Sequence, residues 1–290
     1  VRMTPNLAVL TAEQLKFLRS LVTLADGVGD HEYALKMMQE YARRAPGHEL
    51  ELARFTALYG DLDQGLQMLE SQFDARMDDV LAVALEVLRN RRAEAPEELD
   101  ATVGRMVRTA LRDDPESARR LVFEAEMLEV QDKFEESIAA YNRLLARDDM
   151  PRLVRATALN NLSFILALQS KKPEDLDLAL RSVNEAIEIL GPISDILDTR
   201  ALIYVAAGEF DKAAEDMRLS VMVTPTPSKY YHLAVAELGA GNEAGAKAAW
   251  QRAQADGIAP DKVSELERDQ LQEFAEKMKQ LGASSPTAQL

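Results

Sequence analysis

Small residues recur along this chain in pairs, and the pairs repeat about every 34 residues. In five segments a small or β-branched residue is followed 12 positions later by another small one: Val22/Ala34, Ala53/Gly65, Ala125/Ser137, Ala201/Ala213 and Ala234/Ala246. Two further pairs, Ala84/Val103 and Ser163/Ala179, have longer connections, across 91–98 and 170–175. Periods of this length are typical of stacked supersecondary units. The sequence therefore predicts seven copies of one structural unit.

The segment 194–225 shows what one unit contains. Two stripes of apolar or small residues at spacings of three and four are separated by Gly208 and ended by Pro225; they are Leu197, Ala201, Tyr204 and then Ala213, Met217, Ser220. This spacing places side chains on one face of a helix. Glycine tolerates the backbone angles of a helix end, and proline cannot continue a helix. Each unit is therefore predicted to be a helical hairpin.

This pattern resembles the tetratricopeptide repeat family over about 14–260. The residue types that match that family are clearest in two units: Ala201, Tyr204, Gly208, Phe210, Ala213 and Pro225, and then Ala125, Leu128, Phe134 and Tyr141. Arg200 departs from the pattern, because the family prefers Leu at its position. The resemblance implies an all-α fold, a right-handed superhelical solenoid of about seven helix-turn-helix repeats whose first helices line a concave groove.

The chain divides into four parts on this interpretation. Residues 1–13 form an N-terminal segment, 14–260 the repeat domain, and 282–290 a flexible tail. Residues 261–281 read as one amphipathic helix, and repeat stacks need a terminal element with a polar outer face. We expect this helix to be the C-terminal cap. Because the sequence starts at Val1 rather than Met, we expect a processed chain or a fragment of a larger protein.

Composition excludes several classes of partner. The formal net charge is −15 and no basic patch interrupts the acidic surface, which disfavours nucleic acid. No apolar run approaches the ~20 residues of a membrane-spanning helix, so no membrane insertion is expected. Cysteine is absent, which removes disulfides and thiolate metal sites. The compartment stays unknown, with a soluble cytoplasmic protein favoured over a periplasmic or extracytoplasmic one.

No catalytic, metal or cofactor site is predicted, and we expect no enzyme activity. The three histidines, His31, His48 and His232, lie in different repeats without the spacing of metal ligands. The glycine-rich stretch 239–245 has no strand before it and a glycine out of place for a dinucleotide fingerprint. It is interpreted as a turn between helices.

The resemblance implies binding in the concave groove, at first-helix positions that lie off the packing stripe. The candidate residues are Asp195, Asp198, Thr199, Tyr231, His232, Asn160, Asn161, Arg119, Phe123 and Glu126, together with Lys16 and Arg19. Asp198 and Tyr231 are 33 residues apart and are expected side by side on the groove wall, next to Asp195 and His232. Two carboxylates beside aromatic rings suit a partner segment that carries Lys or Arg.

The sequence and its resemblance to this family predict a protein–protein interaction scaffold. The partner is expected to be a protein or peptide, with basic residues favoured, and assembly with copies of the same chain is left open. The alternative is a regulatory or recruiting module of a larger enzyme or secretion assembly whose other domain is not in this chain.

Overall fold

The structure, a computed structural model, describes residues 11–170 and 172–283. These residues form fifteen α-helices and two 3₁₀ turns. The helices are α1 (Ala12–Gly27), α2 (His31–Arg44), α3 (Glu49–Tyr59), α4 (Leu62–Gln72), α5 (Met77–Arg91), α6 (Pro96–Asp113), α7 (Ala118–Val130), α8 (Phe134–Leu145), α9 (Arg152–Gln169), α10 (Pro173–Leu190), α11 (Ser194–Ala206), α12 (Phe210–Val223), α13 (Pro227–Gly239), α14 (Glu243–Ala255) and α15 (Arg268–Ala283). The 3₁₀ turns are Pro260–Lys262 and Glu265–Glu267.

The first fourteen helices make seven consecutive hairpins, which confirms the predicted repeat. The small residues that predicted the hairpins are all buried where helices meet, from Val22 to Ala246. Gly65 shows why size matters there, since a Cβ at this position would lie 2.4 Å from the backbone of Ala57. In the fourth hairpin the Ser137 hydroxyl instead donates to the Ala125 carbonyl at 2.8 Å. Close approach of two helices therefore fixes the residue type at each marker position.

The turns between paired helices repeat as well. Gly29, Gly208 and Gly241 each stand five residues before the second-helix marker and have φ near +80°. Asp132 holds the same place in the fourth hairpin with φ of 62°, a conformation that Asp and Asn adopt more readily than most other residues. The glycine-rich stretch 239–245 contains such a turn at residues 240–242, between α13 and α14, as predicted.

The chain forms two compact units, residues 1–123 and 124–290. In the first unit, α2 packs between α1 and α3, and α5 contacts α3, α4 and α6. In the second unit, α11 contacts α9, α10, α12 and α13, while α13 also contacts α14. First helices of neighbouring hairpins thus touch one another, and so do the second helix of one hairpin and the first helix of the next.

The C-terminal segment differs from its prediction. Its helix begins at Arg268 rather than at residue 261, because Ser264 and Glu267 form a capping box and Val263 is extended. The Phe274 ring of α15 then packs edge-on against Trp250 and Tyr231, at centroid distances of 5.5 and 5.6 Å. The predicted segment 1–13 and tail 282–290 fall largely on residues 1–10 and 284–290, which lie outside the described residues. Every helix in the described ranges is too short or too polar to span a bilayer.

Candidate functional site

The first helices α9, α11 and α13 lie side by side in the second unit, and their common side carries most of the predicted binding residues. We call this side the first-helix face. Residues one repeat apart become neighbours across it, so a spacing of 34 or 35 residues in sequence becomes a contact in space. The second 3₁₀ turn (Glu265–Glu267) also lies against α9. The face therefore combines three hairpins with part of the C-terminal segment.

His232 of α13 is held between two carboxylates. Its Nδ1 lies 2.7 Å from Asp198 Oδ1 of α11, and its Nε2 lies 2.6 Å from Glu267 Oε1. The ring is only 5% exposed. Burial opposes the charged form, but the two carboxylates outweigh it and raise the pKa of His232 to about 10. The ring is an imidazolium at neutral pH and donates a hydrogen bond from each nitrogen.

Lys229, one turn away on α13, is a buried cation that makes a second ion pair. Its side chain is 6% exposed, and its ammonium donates to Asp195 Oδ1 at 2.6 Å and to Ser194 Oγ at 2.7 Å. Ser194 in turn accepts from or donates to Ser220 at 3.1 Å. The Asp195 carboxylate remains 78% exposed. A buried cation thus fixes a carboxylate that still faces solvent.

Amide and phenol groups form a third cluster around α9. Asn161 Nδ2 donates to Glu126 Oε1 and to Tyr141 Oη, both at 3.1 Å. Asn160 Nδ2 donates to Asn161 Oδ1 at 3.3 Å. The Asn160 Oδ1 atom is buried and finds no donor among the described residues. A buried acceptor without a partner costs about 1–3 kcal/mol, so this cluster is not fully satisfied.

The candidates in the first unit make contacts of their own. The Arg119 guanidinium stands 5.6 Å from the centroid of the Phe123 ring, and Phe123 is buried beneath it. Arg19 pairs with Glu51 and lies 5.6 Å from the centroid of the Tyr41 ring. Lys16 is exposed on α1. These contacts join neighbouring hairpins or neighbouring turns of one helix.

Four of the predicted groove residues are buried, which corrects the expectation that they line an open surface. They are Phe123, Thr199, Tyr231 and His232. Tyr231 is covered because α15 packs Phe274 on it, and burial, with the Glu267 charge second, raises the pKa of its phenol. Thr199 turns its hydroxyl back to the Asp195 carbonyl at 3.2 Å. The exposed phenol and imidazole that the sequence predicted are therefore not available.

The sequence interpretation missed Lys229 and Glu267, although both carry a signal. Lys229 follows Asp195 by 34 residues, and Glu267 follows His232 by 35, so opposite charges stand one repeat apart. Arg200 was noted only as a departure from the family pattern. It donates to Asp216 at 2.7 and 2.8 Å and to Asn184 at 3.2 Å, which explains a charged residue at a position that usually holds Leu.

The ion pairs of the first-helix face do not converge on one point. The carboxylates of Asp198 and Glu267 approach opposite nitrogens of one ring. In the described ranges no group of three or more His, Asp or Glu side chains is placed to hold a metal ion. The Asp195 carboxylate is the exposed member of these pairs, and Lys229 holds it in position.

Comparison with known proteins bears on the fold. No protein-family model matches this sequence, and no curated protein sequence matches it. A tetratricopeptide repeat protein from Parabacteroides merdae superposes with a TM-score of 0.56 and 14% identity, over 92% of this chain and 100% of that one. Yeast Tom70 gives 0.59 and 16%, over 88% of this chain and 52% of that one. A thermophilic tetratricopeptide repeat protein of Thermus thermophilus gives 0.50 and 20%, over 67% and 98%.

Proposed function

We propose that this chain, which has the tetratricopeptide-repeat fold, is a protein-interaction scaffold that holds a segment of a partner protein on the first-helix face. Repeat folds of this kind present extended surfaces built from equivalent positions of successive units. The part of the face formed by α9 and α11 is the proposed contact area. The part formed by α13 is covered by Glu267 and α15, so it contributes the ion pairs that support the site.

One observation carries the proposal: the Asp195 carboxylate is paired with Lys229 and still has unused capacity for hydrogen bonds. The carboxylate is largely exposed, and Lys229 holds one of its oxygens. A partner that donates an N–H to this carboxylate would form a charge-assisted hydrogen bond. Asp195 lies on α11 and is held by a buried ammonium, which keeps its position fixed before binding.

The charge of the face favours a partner segment with Lys or Arg. Asp195, Asp198 and Glu267 supply three negative charges, and Lys229 and His232 supply two positive ones. The excess negative charge lies at His232, which two carboxylates share, and the exposed carboxylate is that of Asp195, in a chain of net charge −15. Complementary charge speeds association and selects among partners. Binding at this place should therefore weaken as salt is added, because exposed pairs are screened at physiological ionic strength.

Peptide selection tests this directly. A library of random 12-residue peptides displayed on phage would be selected on the full chain, and the enriched peptides titrated by fluorescence anisotropy. We expect a basic residue in the enriched sequences. Asp195→Asn should lower their affinity at least fivefold and flatten the salt dependence. Glu215→Gln on the exposed side of α12 is the matched control and should have no effect.

Enriched peptides without basic residues, or equal binding by Asp195→Asn and the parent chain, would contradict the proposed contact area. A module that recruits partners for a larger enzyme would use the same surface. The peptide selection therefore tests the binding surface common to both functions.

A further inference from the structure

Helix α1 exposes a stripe of large apolar side chains in the first unit. Phe17, Leu24 and Val28 are 66%, 63% and 71% exposed. The exposed positions between them hold Ser20, Thr23 and Gly27, and the charged residues from Phe17 to Val28 are the partly buried Arg19 and Asp26. Charged residues make up 29% of the chain. We call these six residues the α1 stripe. Contiguous exposed apolar surface of this kind usually marks an interaction site.

The repeat register shows that the α1 stripe is unusual. Leu24 stands two residues after the small-residue marker Val22, and the same position in the other hairpins can be read off the sequence. It holds Phe55, Glu86, Met127, Ile165, Ile203 and Ala236, and every one of these except Glu86 is buried. Glu86 is engaged by Arg54 of the preceding hairpin. Leu24 is thus an apolar residue exposed at a position that is otherwise covered.

The same register shows what covers this position. Phe55 on α3 is buried in one cluster with Ala34 and Met38, which lie on α2, the second helix of the preceding hairpin. Ala236 on α13 shares a cluster with Ala213 and Met217 of α12, again the second helix of the preceding hairpin. In both cases the covering helix presents a small residue and a methionine four positions later. The fold itself therefore defines the shape that fits against Leu24.

The charged residues next to the α1 stripe limit which kind of helix could bind there. The two charged residues next to the α1 stripe are already engaged within the first unit: Arg19 pairs with Glu51, and Asp26 lies 3.4 Å from His31. A charge on the contact side of an arriving helix would be desolvated without a new partner, which is unfavourable. The contact side of the occupant should therefore be uncharged.

We propose that the α1 stripe is a docking surface for an amphipathic helix of a partner protein. The contact side of that helix carries a small residue, an apolar residue four positions later and no charge. It lies against Phe17, Leu24 and Val28 as α2 lies against Phe55. The residues of this surface belong to the first unit and none of them is part of the first-helix face. The surface takes a helix rather than an extended basic segment.

A helical probe taken from the chain itself tests the proposal. The probe is a hydrocarbon-stapled, fluorescent peptide of residues 31–44, whose Ala34 and Met38 form the covering side in α2. The control peptide carries Glu at both places. Anisotropy titration with the full chain should show saturable binding of the probe and at least tenfold weaker binding of the control. The probe could also replace α2 in its own hairpin, and a substitution within the α1 stripe distinguishes the two modes of binding.

Leu24→Asp should weaken binding of the probe at least tenfold. The matched control is Met222→Asp on α12, where an apolar side chain is 73% exposed, and it should bind within twofold of the parent chain. Equal binding by the Leu24→Asp variant, or equal binding of the two peptides, would overturn the proposal. So would sedimentation that finds a dimer dissociated by Leu24→Asp, since the occupant would then be a second copy. Binding that requires deletion of residues 1–10 would overturn it in favour of that segment.

Discussion

Helices α1 and α13 are both first helices of hairpins, yet equivalent positions on them carry opposite kinds of residue. Five residues before the small-residue marker, α1 has the exposed Phe17 and α13 has the buried Lys229. Two residues before the marker, α1 has an exposed Ser20 and α13 has the buried His232. An apolar residue is exposed and two cationic ones are buried, the reverse of the usual preference.

The neighbouring elements explain this reversal. Lys229 is covered by Ser194 and Ser220 of the preceding hairpin, and His232 by Asp198 and Glu267. Among residues 11–170 and 172–283, no hairpin precedes α1. Whether a position in a repeat protein is buried therefore depends on the element that packs next to it. A buried cation at such a position requires that element to provide hydrogen-bond acceptors or a negative charge. Three variants test whether α13 depends on its neighbours and α1 does not.

The largest effect is expected where the covering element supplies a charge. Glu267→Ala leaves the buried His232 with one carboxylate and removes the capping box of the 3₁₀ turn that leads into α15. Breaking a buried pair on one side typically costs about 3–5 kcal/mol. Urea denaturation should show a loss of this size, and hydrogen exchange should show faster exchange in α15. Glu265→Ala is the matched control, because Glu265 is exposed and its surface pair with Arg268 is worth at most about 1 kcal/mol. Equal effects of the two substitutions would contradict a buried anchor.

A smaller effect on the free energy of unfolding, which changes gradually with pH, is expected from the titration of His232. The pKa of His232 is raised from 6.5 to about 10, so the unfolded chain loses this proton near pH 6.5 while the folded chain keeps it. The stabilisation is fully present below pH 6.5 and is lost as pH rises through about 10. Its slope is at most about 1.4 kcal/mol per pH unit between these values. Urea midpoints measured from pH 6.5 to 9.5 should fall for the parent chain, and His232→Gln should remove this part of the fall. An identical pH dependence in both proteins would show that His232 is not held as an imidazolium.

The hairpins were predictable because their determinants are local and repeated. Small residues at the markers, the turn glycines Gly208 and Gly241, and the stripes at spacings of three and four all act within one or two hairpins. Even the ion pair of Lys229 with Asp195 follows from the repeat, since residues 34 positions apart become neighbours. Opposite charges at that spacing are a usable sequence signal for contacts across a first-helix face.

The exposure of Tyr231 and His232 was predicted wrongly for a different reason. The repeat pattern predicted that both face an open groove. They are buried because Glu267 and Phe274, which belong to a segment outside the repeat pattern, return onto α13. Periodicity carries no information about where such a segment packs. The buried partners of a terminal element therefore have to come from the structure.

The smallest change in the free energy of unfolding is expected for a substitution on α1. Leu24→Ala removes an exposed side chain and should change the free energy of unfolding by no more than about 0.5 kcal/mol. Phe55→Ala, at the equivalent position of α3, creates a cavity under α2 and should cost about 3–5 kcal/mol. Guanidinium denaturation of both variants, at two protein concentrations tenfold apart, gives the comparison.

A loss above about 2 kcal/mol for Leu24→Ala would mean that the α1 stripe is already covered in the free protein. If that loss grew with protein concentration, the cover would come from a second copy, because only an intermolecular contact depends on mass action. If it did not, residues of the same chain would cover α1. In either case a partner helix would have to displace that cover before it could bind.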